Sequence, residues 1–294
     1  MKSILLTGAT GFLGSALARH WIHAGYKVSV LLRPTSRTVR ILDVIDSVQS
    51  YRCDSDSDVF SAIEKVAPDY IVHTACSYGR AGENLIGIFD ANIRFGLLLL
   101  EGARRLEKHV VFLNTGTILE SSVSSYAMSK NSFSALGALE AVSRGKGVQF
   151  INVVLQHMYG PGDDASKFTT HVIGSCYANV ERLPLTSGVQ KRDFIYIDDV
   201  VSAYDVILSN ASSFADADEI EVGYGQAFSV REFVELVHSM TASQTRLEFD
   251  AVPYRANEAM LLVADISHLR SLGWTPKISL KLGVQKIIDK DYVR

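Results

Sequence analysis

The chain has 294 residues, 47% of them hydrophobic and 21% charged, with a formal net charge of −3. That length makes one large domain or two interlocked ones, with enough buried apolar surface to need no disulfide or metal staple. The slight acidity and the lack of any long Lys/Arg run exclude a nucleic-acid-binding protein.

Ser3–Leu6 reads as a strand, Phe12–Ala24 as a helix closed by Gly25, and Lys27–Leu32 as a strand stopped by Arg33-Pro34. A weaker strand near Val48–Arg52 precedes a helix over Asp56–Val66 and a strand at Tyr70–His73. A long helix over Asn84–Leu106, a strand at Val110–Asn114, a helix at Ser124–Ser143 and a strand at Val148–Leu155 complete the first half. The alternation predicts an α/β fold, a Rossmann-type doubly wound parallel sheet covered on both faces.

After Tyr159 the turn cluster Gly160-Pro161-Gly162-Asp163-Asp164 changes the texture. Helices are expected at Asp198–Leu208, Val230–Met240 and Leu280–Ile288, and short strands at Ile220–Val222 and Arg246–Phe249. Residues 1–158 thus form the dinucleotide domain, with segments returning at about 193–222. Residues 159–294 form mainly a smaller substrate-binding lobe, and the cleft between them is the expected ligand site. Asp198-Asp199 reads as a helix-capping pair.

Leu97–Leu100 is bracketed by Arg94, Glu101, Arg104 and Arg105, so it is a buried helix segment and not a membrane span. Ile4–Leu6 is too short for a secretory signal. Cys53, Cys76 and Cys176 are far apart and read as reduced, buried thiols, in keeping with a cytoplasmic protein. The histidines show no metal-ligand spacing, and His73, in an apolar strand, reads as core.

Residues 7–14, TGATGFLG, join the first strand to the first helix. Gly8 allows the turn, Gly11 allows the main chain to approach a pyrophosphate, and Gly14 allows helix to pack on strand. Thr10, Phe12 and Leu13 complete a loop whose N–H groups and helix dipole favour an anion. At the end of the second strand an acid would accept from the ribose of NAD, whereas an Arg accommodates a 2′-phosphate. Arg33, Ser36 and Arg37 stand there with no acid in reach, which favours NADPH.

Tyr126 and Lys130 form YxxxK, one helical turn apart on one face. A neighbouring ammonium moves a phenol toward the working pH range. Thr115, at the carboxyl end of the preceding strand, is placed to hydrogen-bond a reacting carbonyl oxygen. These are the parts for hydride transfer to or from a carbonyl.

TGxxGxxG, YxxxK and the strand hydroxyl resemble the extended short-chain dehydrogenase/reductase family, which includes nucleotide-sugar epimerases, dehydratases and reductases. The resemblance covers nearly the whole chain. It implies that Asp54 meets the adenine, that Thr74, Ala75 and Cys76 line the cofactor, and that Asn92 on the fourth helix also contacts it. It implies substrate contacts from Ser77, Thr117, His157, Lys167 and Phe168, and diphosphate contacts from Arg192 and Arg255. HMYGPGD (157–163), KRDFIYIDDV (191–200) and LGWTPKISLKLG (272–283) match its second-lobe segments. Within the family, NTGTILE, YAMSK and QKRDFIYIDDVVSAY are most similar to the branch that makes CDP-abequose and CDP-paratose by reducing a 4-keto sugar nucleotide with NADPH.

Thr115 is followed by Gly116-Thr117, without the acid pair of a dehydratase. Asn114 and Leu119 depart from the usual residues and are expected beside the sugar. An NAD(P)-dependent 4-epimerase is the alternative enzyme, and a non-catalytic dinucleotide sensor the alternative of another class. The resemblance also implies a homodimer built on the helices at about 84–106 and 124–143, with Leu97–Leu100, Phe133, Leu136 and Leu139 as apolar surface.

Overall fold

The computed structural model describes residues 2–80, 82–143, 147–255 and 257–293. The chain begins with β1 (Ser3–Thr7), α1 (Phe12–His23), β2 (Lys27–Leu32), β3 (Gln49–Arg52), α2 (Asp56–Val66) and β4 (Tyr70–His73). It continues through α3 (Leu85–Phe89), a π-helical turn at Asp90–Arg94, α4 (Phe95–Arg104), β5 (Val110–Thr115), α5 (Ser125–Ser143) and β6 (Val148–Leu155). Next come β7 (His157–Tyr159), α6 (Phe168–Tyr177), β8 (Arg182–Pro184), β9 (Lys191–Tyr196), α7 (Ile197–Ser209) and β10 (Ala217–Val222). Last are β11 (Ala227–Ser229), α8 (Val230–Met240), β12 (Arg246–Glu248), β13 (Leu261–Leu262), α9 (Ser267–Ser271) and α10 (Leu280–Ile287).

Among the described residues, seven strands form one sheet in the order β10-β6-β5-β4-β1-β2-β3. β1 pairs in parallel with both β2 and β4, so Ile4 lies between Val28 and Tyr70. β4, β5 and β6 follow in parallel, with Leu113 between Val72 and Ile151. Nearly every residue of these inner strands is buried, which is why they read as continuous apolar runs and not as alternating ones. The expected Rossmann-type α/β fold is therefore the fold observed. On one face Leu5, Ile71, Phe112 and Phe150 pack with Ile63 of α2, Leu99 of α4 and Phe133 of α5.

The chain divides into two compact units, Met1–Val154 with Tyr204–Ile220, and Leu155–Ala203 with Glu221–Arg294. The segment returning to the first unit is thus shorter than 193–222, because β9 pairs instead within the second unit's sheet, with β7, β11 and β13. The second unit has its own aromatic core, in which Phe194 stacks on Phe233 at 4.9 Å and Tyr159 meets Tyr196 edge-on at 5.7 Å.

Several boundaries differ from the sequence expectations for local reasons. The long helix of residues 84–106 is interrupted by the π turn, where one extra residue per turn rotates Asn92 inward. Leu99, Leu100 and Phe133 belong to the core, whereas Leu136 and Leu139 are exposed. Residues Thr38–Ser47, for which no element was expected, form 3-10 turns that bury Ile41 and Val44. Of the three free thiols only Cys176 is buried; Cys53 and Cys76 are half-buried. Among the described residues no helix is long and apolar enough to cross a membrane.

Asp199 does more than cap a helix. It is buried, and its carboxylate accepts from the Lys277 and Ile278 N–H groups, both at 2.9 Å, so that it fixes the approach to α10. Asp199→Ala leaves those donors unpaired and is expected to cost about 2–4 kcal/mol in urea unfolding. Asp198→Ala, at an exposed position, should stay within about 0.5 kcal/mol of the parent.

Candidate active site

The glycine loop shows why its residue types are required. Gly8 has φ +74°, and a Cβ there would lie 2.6 Å from both the Ala75 nitrogen and Thr74 Oγ1. A Cβ at Gly14 would lie 2.2 Å from the Gly8 carbonyl oxygen, so helix α1 can sit this close only without one. Gly11 caps α1 with no side-chain hydrogen bond and no acid in the first turn. The first N–H groups of the helix therefore face outward with a positive dipole end, which fits a dinucleotide pyrophosphate. Thr10 and Phe12 are half-buried beside it, and the buried Leu13 contributes its main chain.

Arg33, Ser36 and Arg37 follow β2. Both arginines are exposed, and Ser36 Oγ accepts from the Arg33 N–H at 2.9 Å, which leaves its own proton available to an anion. Asp54 is exposed just after β3. Beyond β4, Thr74 donates its hydroxyl to the Thr7 carbonyl at 2.8 Å, and Ala75 and Cys76 are half-buried. These groups share the carboxyl edge of the neighbouring strands β4, β1, β2 and β3.

Asn92 is placed differently from the expectation. It is fully buried, and both its amide protons are committed, to the Ser77 carbonyl and to Ser129 Oγ, each at 2.9 Å. Its oxygen accepts the Ser77 N–H at 2.7 Å. Asn92 is therefore a brace between the β4 loop and helix α5, with no proton left for a cofactor. Ser77 likewise turns inward, donating its hydroxyl to Glu83 at 2.9 Å, and is not open to a substrate.

Thr115, Tyr126 and Lys130 come from β5 and α5. The Thr115 hydroxyl is 2.8 Å from the hydroxyl of Tyr204, a buried residue of α7 that nothing local in the sequence singles out. The Tyr126 ring stacks on that of Tyr78, with centroids 4.7 Å apart. Beneath β5, Asn114 donates to Asn152 at 2.7 Å and to Ser134 at 3.2 Å, and Asn152 donates to Glu219 at 2.8 Å. Asn114 is fully buried in this network, with no exposed surface to offer a ligand.

The electrostatics reverse one expectation. Burial pushes the Tyr126 phenol up, with Cys76 adding to the effect, while Thr117, Tyr78 and Arg80 oppose it. Lys130 is itself buried, which pushes its ammonium down against the opposing influence of Cys76. Desolvation disfavours each charged form, so the pair rests with Tyr126 as a protonated phenol and not as a phenolate. His73 is also held neutral by burial and by Lys130.

In the second unit, Arg192 is buried on β9, with its guanidinium on the Glu258 carboxylate and on the Lys191 carbonyl at 2.8 Å. Its neighbour Asp193 accepts from Tyr224, Gly225 and Ala264 N–H groups at 2.6, 2.8 and 3.2 Å. Arg255 is exposed, and its carbonyl accepts the Glu258 N–H at 3.2 Å in the turn that presents Glu258 to Arg192. Lys167 precedes α6, and Phe168 meets Phe233 at 5.9 Å while remaining partly exposed. Tyr78, Tyr204 and Glu258 were not foreseen; only Glu258, three residues after Arg255, carried a sequence signal.

His157 stands half-buried on β7 with its ring edge-on to Phe194 at 6.2 Å. Burial first, then the charges of Arg192 and Lys167, bring its pKa down to about 4. The unfolded chain, with an ordinary histidine near 6.5, binds the extra proton between those values, so His157 makes stability fall as pH drops from about 6.5 to about 4. Its share is about 3 kcal/mol, and His157→Asn should flatten the pH dependence of the urea midpoint across that window.

Comparison with known proteins agrees with this geometry. The NAD dependent epimerase/dehydratase family matches residues 4–223. A CDP-abequose synthase of Salmonella muenchen is 34% identical over 297 residues, covering 98% of this chain and 97% of that protein. A CDP-abequose synthase of Salmonella typhimurium is 30% identical over 299 residues, with the same shares covered. Among solved structures, UDP-glucose 4-epimerase of Thermotoga maritima with UDP-glucose has the same fold, with a TM-score of 0.84 at 22% identity over 98% of each chain. With its glycine loop, its Tyr126 and Lys130 on α5 and this match over most of its length, the chain belongs to the NAD dependent epimerase/dehydratase family.

Proposed function

We propose that the protein is an NADPH-dependent reductase of the 4-keto group of a nucleoside-diphosphate sugar. The substrate we favour is a CDP-linked 3,6-dideoxy- or 6-deoxy-4-hexulose, and the product a deoxysugar nucleotide for surface polysaccharide synthesis. The observation that carries the reaction is the placement of Thr115 at the carboxyl end of β5 and of Tyr126 and Lys130 in the first turns of α5. Reduction needs an acid at the carbonyl oxygen, and a protonated phenol is one. The full-length similarity to CDP-abequose synthases supports the substrate.

Bound NADPH would supply the hydride to the carbonyl carbon. Tyr126 donates its proton to the carbonyl oxygen and recovers one from solvent after turnover. Tyr204 is buried with Thr115 as its partner, and when the Tyr204 hydroxyl is the donor of that pair the Thr115 proton is left to orient the same oxygen. Lys130 contributes its ammonium beside the phenolate that forms. Gly116-Thr117 supply no carboxylate for removing a second proton and a hydroxyl, in keeping with reduction and not dehydration. Arg33, Ser36 and Arg37 support a 2′-phosphate, Arg192 and Arg255 are the cations for the diphosphate, and Lys167 lines the nucleotide pocket. The exposed Leu136 and Leu139 of α5 support a homodimer.

With a CDP-4-keto-3,6-dideoxyhexose, stoichiometric NADPH oxidation is expected, and Arg33→Ala should weaken NADPH roughly tenfold while leaving NADH nearly unchanged. No oxidation, with a nicotinamide retained in the purified protein, would overturn the reading in favour of an epimerase. A second outcome concerns Arg192, which already holds a carboxylate. Glu258→Gln leaves the buried guanidinium without its counter-charge and should tighten CDP about three- to tenfold in calorimetry. Weaker binding would make Glu258 a ligand of the nucleotide.

A further inference from the structure

The loop after β4 has no regular structure over residues 74–80, yet the residues on both sides of Tyr78 are fixed. The Ser77 N–H and carbonyl are both bound by Asn92, at 2.7 and 2.9 Å, and the Gly79 N–H donates to Ser77 Oγ at 3.2 Å. A partly exposed tyrosine on an unbraced loop would sample several rotamers at little cost. Here its ring lies stacked on Tyr126, with centroids 4.7 Å apart and planes at 29°. The Arg80 guanidinium sits 5.6 Å from the Tyr78 ring centroid, a cation against its π system.

We propose that Tyr78 is a positioning residue for the Tyr126 hydroxyl, held on the catalytic ring by the Asn92 brace and backed by Arg80. The inference rests on the reading of Tyr126 as the proton donor. When Tyr126 gives up its proton, the Tyr78 hydroxyl donates to the oxyanion left behind, and Arg80, 5.6 Å from the Tyr78 ring centroid, adds positive charge. The other groups acting on that oxygen are Thr117, which favours its ionisation, and Cys76, which opposes it; Lys130 lies one turn along α5. Removing either Tyr78's hydroxyl or Arg80's charge therefore makes Tyr126 ionise at higher pH.

The test places a fluorinated tyrosine, whose phenol ionises at lower pH, at position 126 of the full chain and follows its 19F signal against pH. Tyr78→Phe and Arg80→Gln should each raise the midpoint by about half a pH unit or more. With the natural Tyr126, Tyr78→Phe should lower kcat for sugar reduction about five- to tenfold, with KM within about twofold. Unchanged midpoints in both variants overturn the proposal. The titration needs no substrate, so it still decides the matter if the keto sugar is not reduced and the functional reading fails. Arg80 is exposed, so Arg80→Gln carries the test even if Tyr78→Phe folds poorly.

Discussion

One buried carboxamide holds the candidate site together. Asn92 accepts one hydrogen bond and donates two, and so joins a loop 15 residues before it to a helix 37 residues after it. Ser129 Oγ, at the far end, donates to the Tyr126 carbonyl at 2.9 Å, so the chain of bonds reaches the main chain of Tyr126. No other side chain of that size both accepts and donates in one plane. An aspartate there would bury a charge and abandon two acceptors. The π turn exists to aim this group, since in a regular helix the same residue would point elsewhere.

A second set of neutral groups supports β5 from below. Asn114, Ser134 and Asn152 bond to one another, with Glu219 as the acceptor at the end of the line. The support beneath β5 is thus a run of amides and hydroxyls that ends on one carboxylate. In such surroundings Lys130 and Tyr126 are both driven toward their uncharged forms. Because desolvation makes the Tyr126 proton harder to remove, proton transfer from it depends on the groups that favour the phenolate, here Thr117, Tyr78 and Arg80.

The first 155 residues were largely legible because their strands are buried on both faces and their helices carry ordinary stops. Asp56–Val66, Tyr70–His73 and Val148–Leu155 agree to the residue. The glycine loop was legible because Gly8 and Gly14 answer to steric limits that no other residue meets. The second half was harder. β7 and β9 are short, and their partners lie far along the chain, so no local period marks them. α6 has no side-chain cap to announce it. The site's new members, Tyr204 against Thr115 and Tyr78 against Tyr126, are tertiary contacts of hydroxyl groups. Sequence placed Asn92 near the cofactor but could not show that its amide was already fully engaged. It also read Tyr126 through its neighbour's charge, whereas burial is the largest influence on the phenol and pushes it up.

The returning segment Tyr204–Ile220 has a consequence for how the protein is made. The first unit is not finished at Val154; it waits for a stretch that leaves the ribosome only after some fifty intervening residues of the second unit. Until β10 takes its place beside β6, the β6 edge of a parallel sheet lies open on the nascent chain, the kind of edge that invites wrong pairing. Tyr204 arrives with the same segment, so Thr115 acquires its buried partner in the closing step of that assembly. The order of synthesis thus makes the two units fold as interleaved parts, and a chain truncated after its apparent first domain would lack both a sheet edge and a piece of the site.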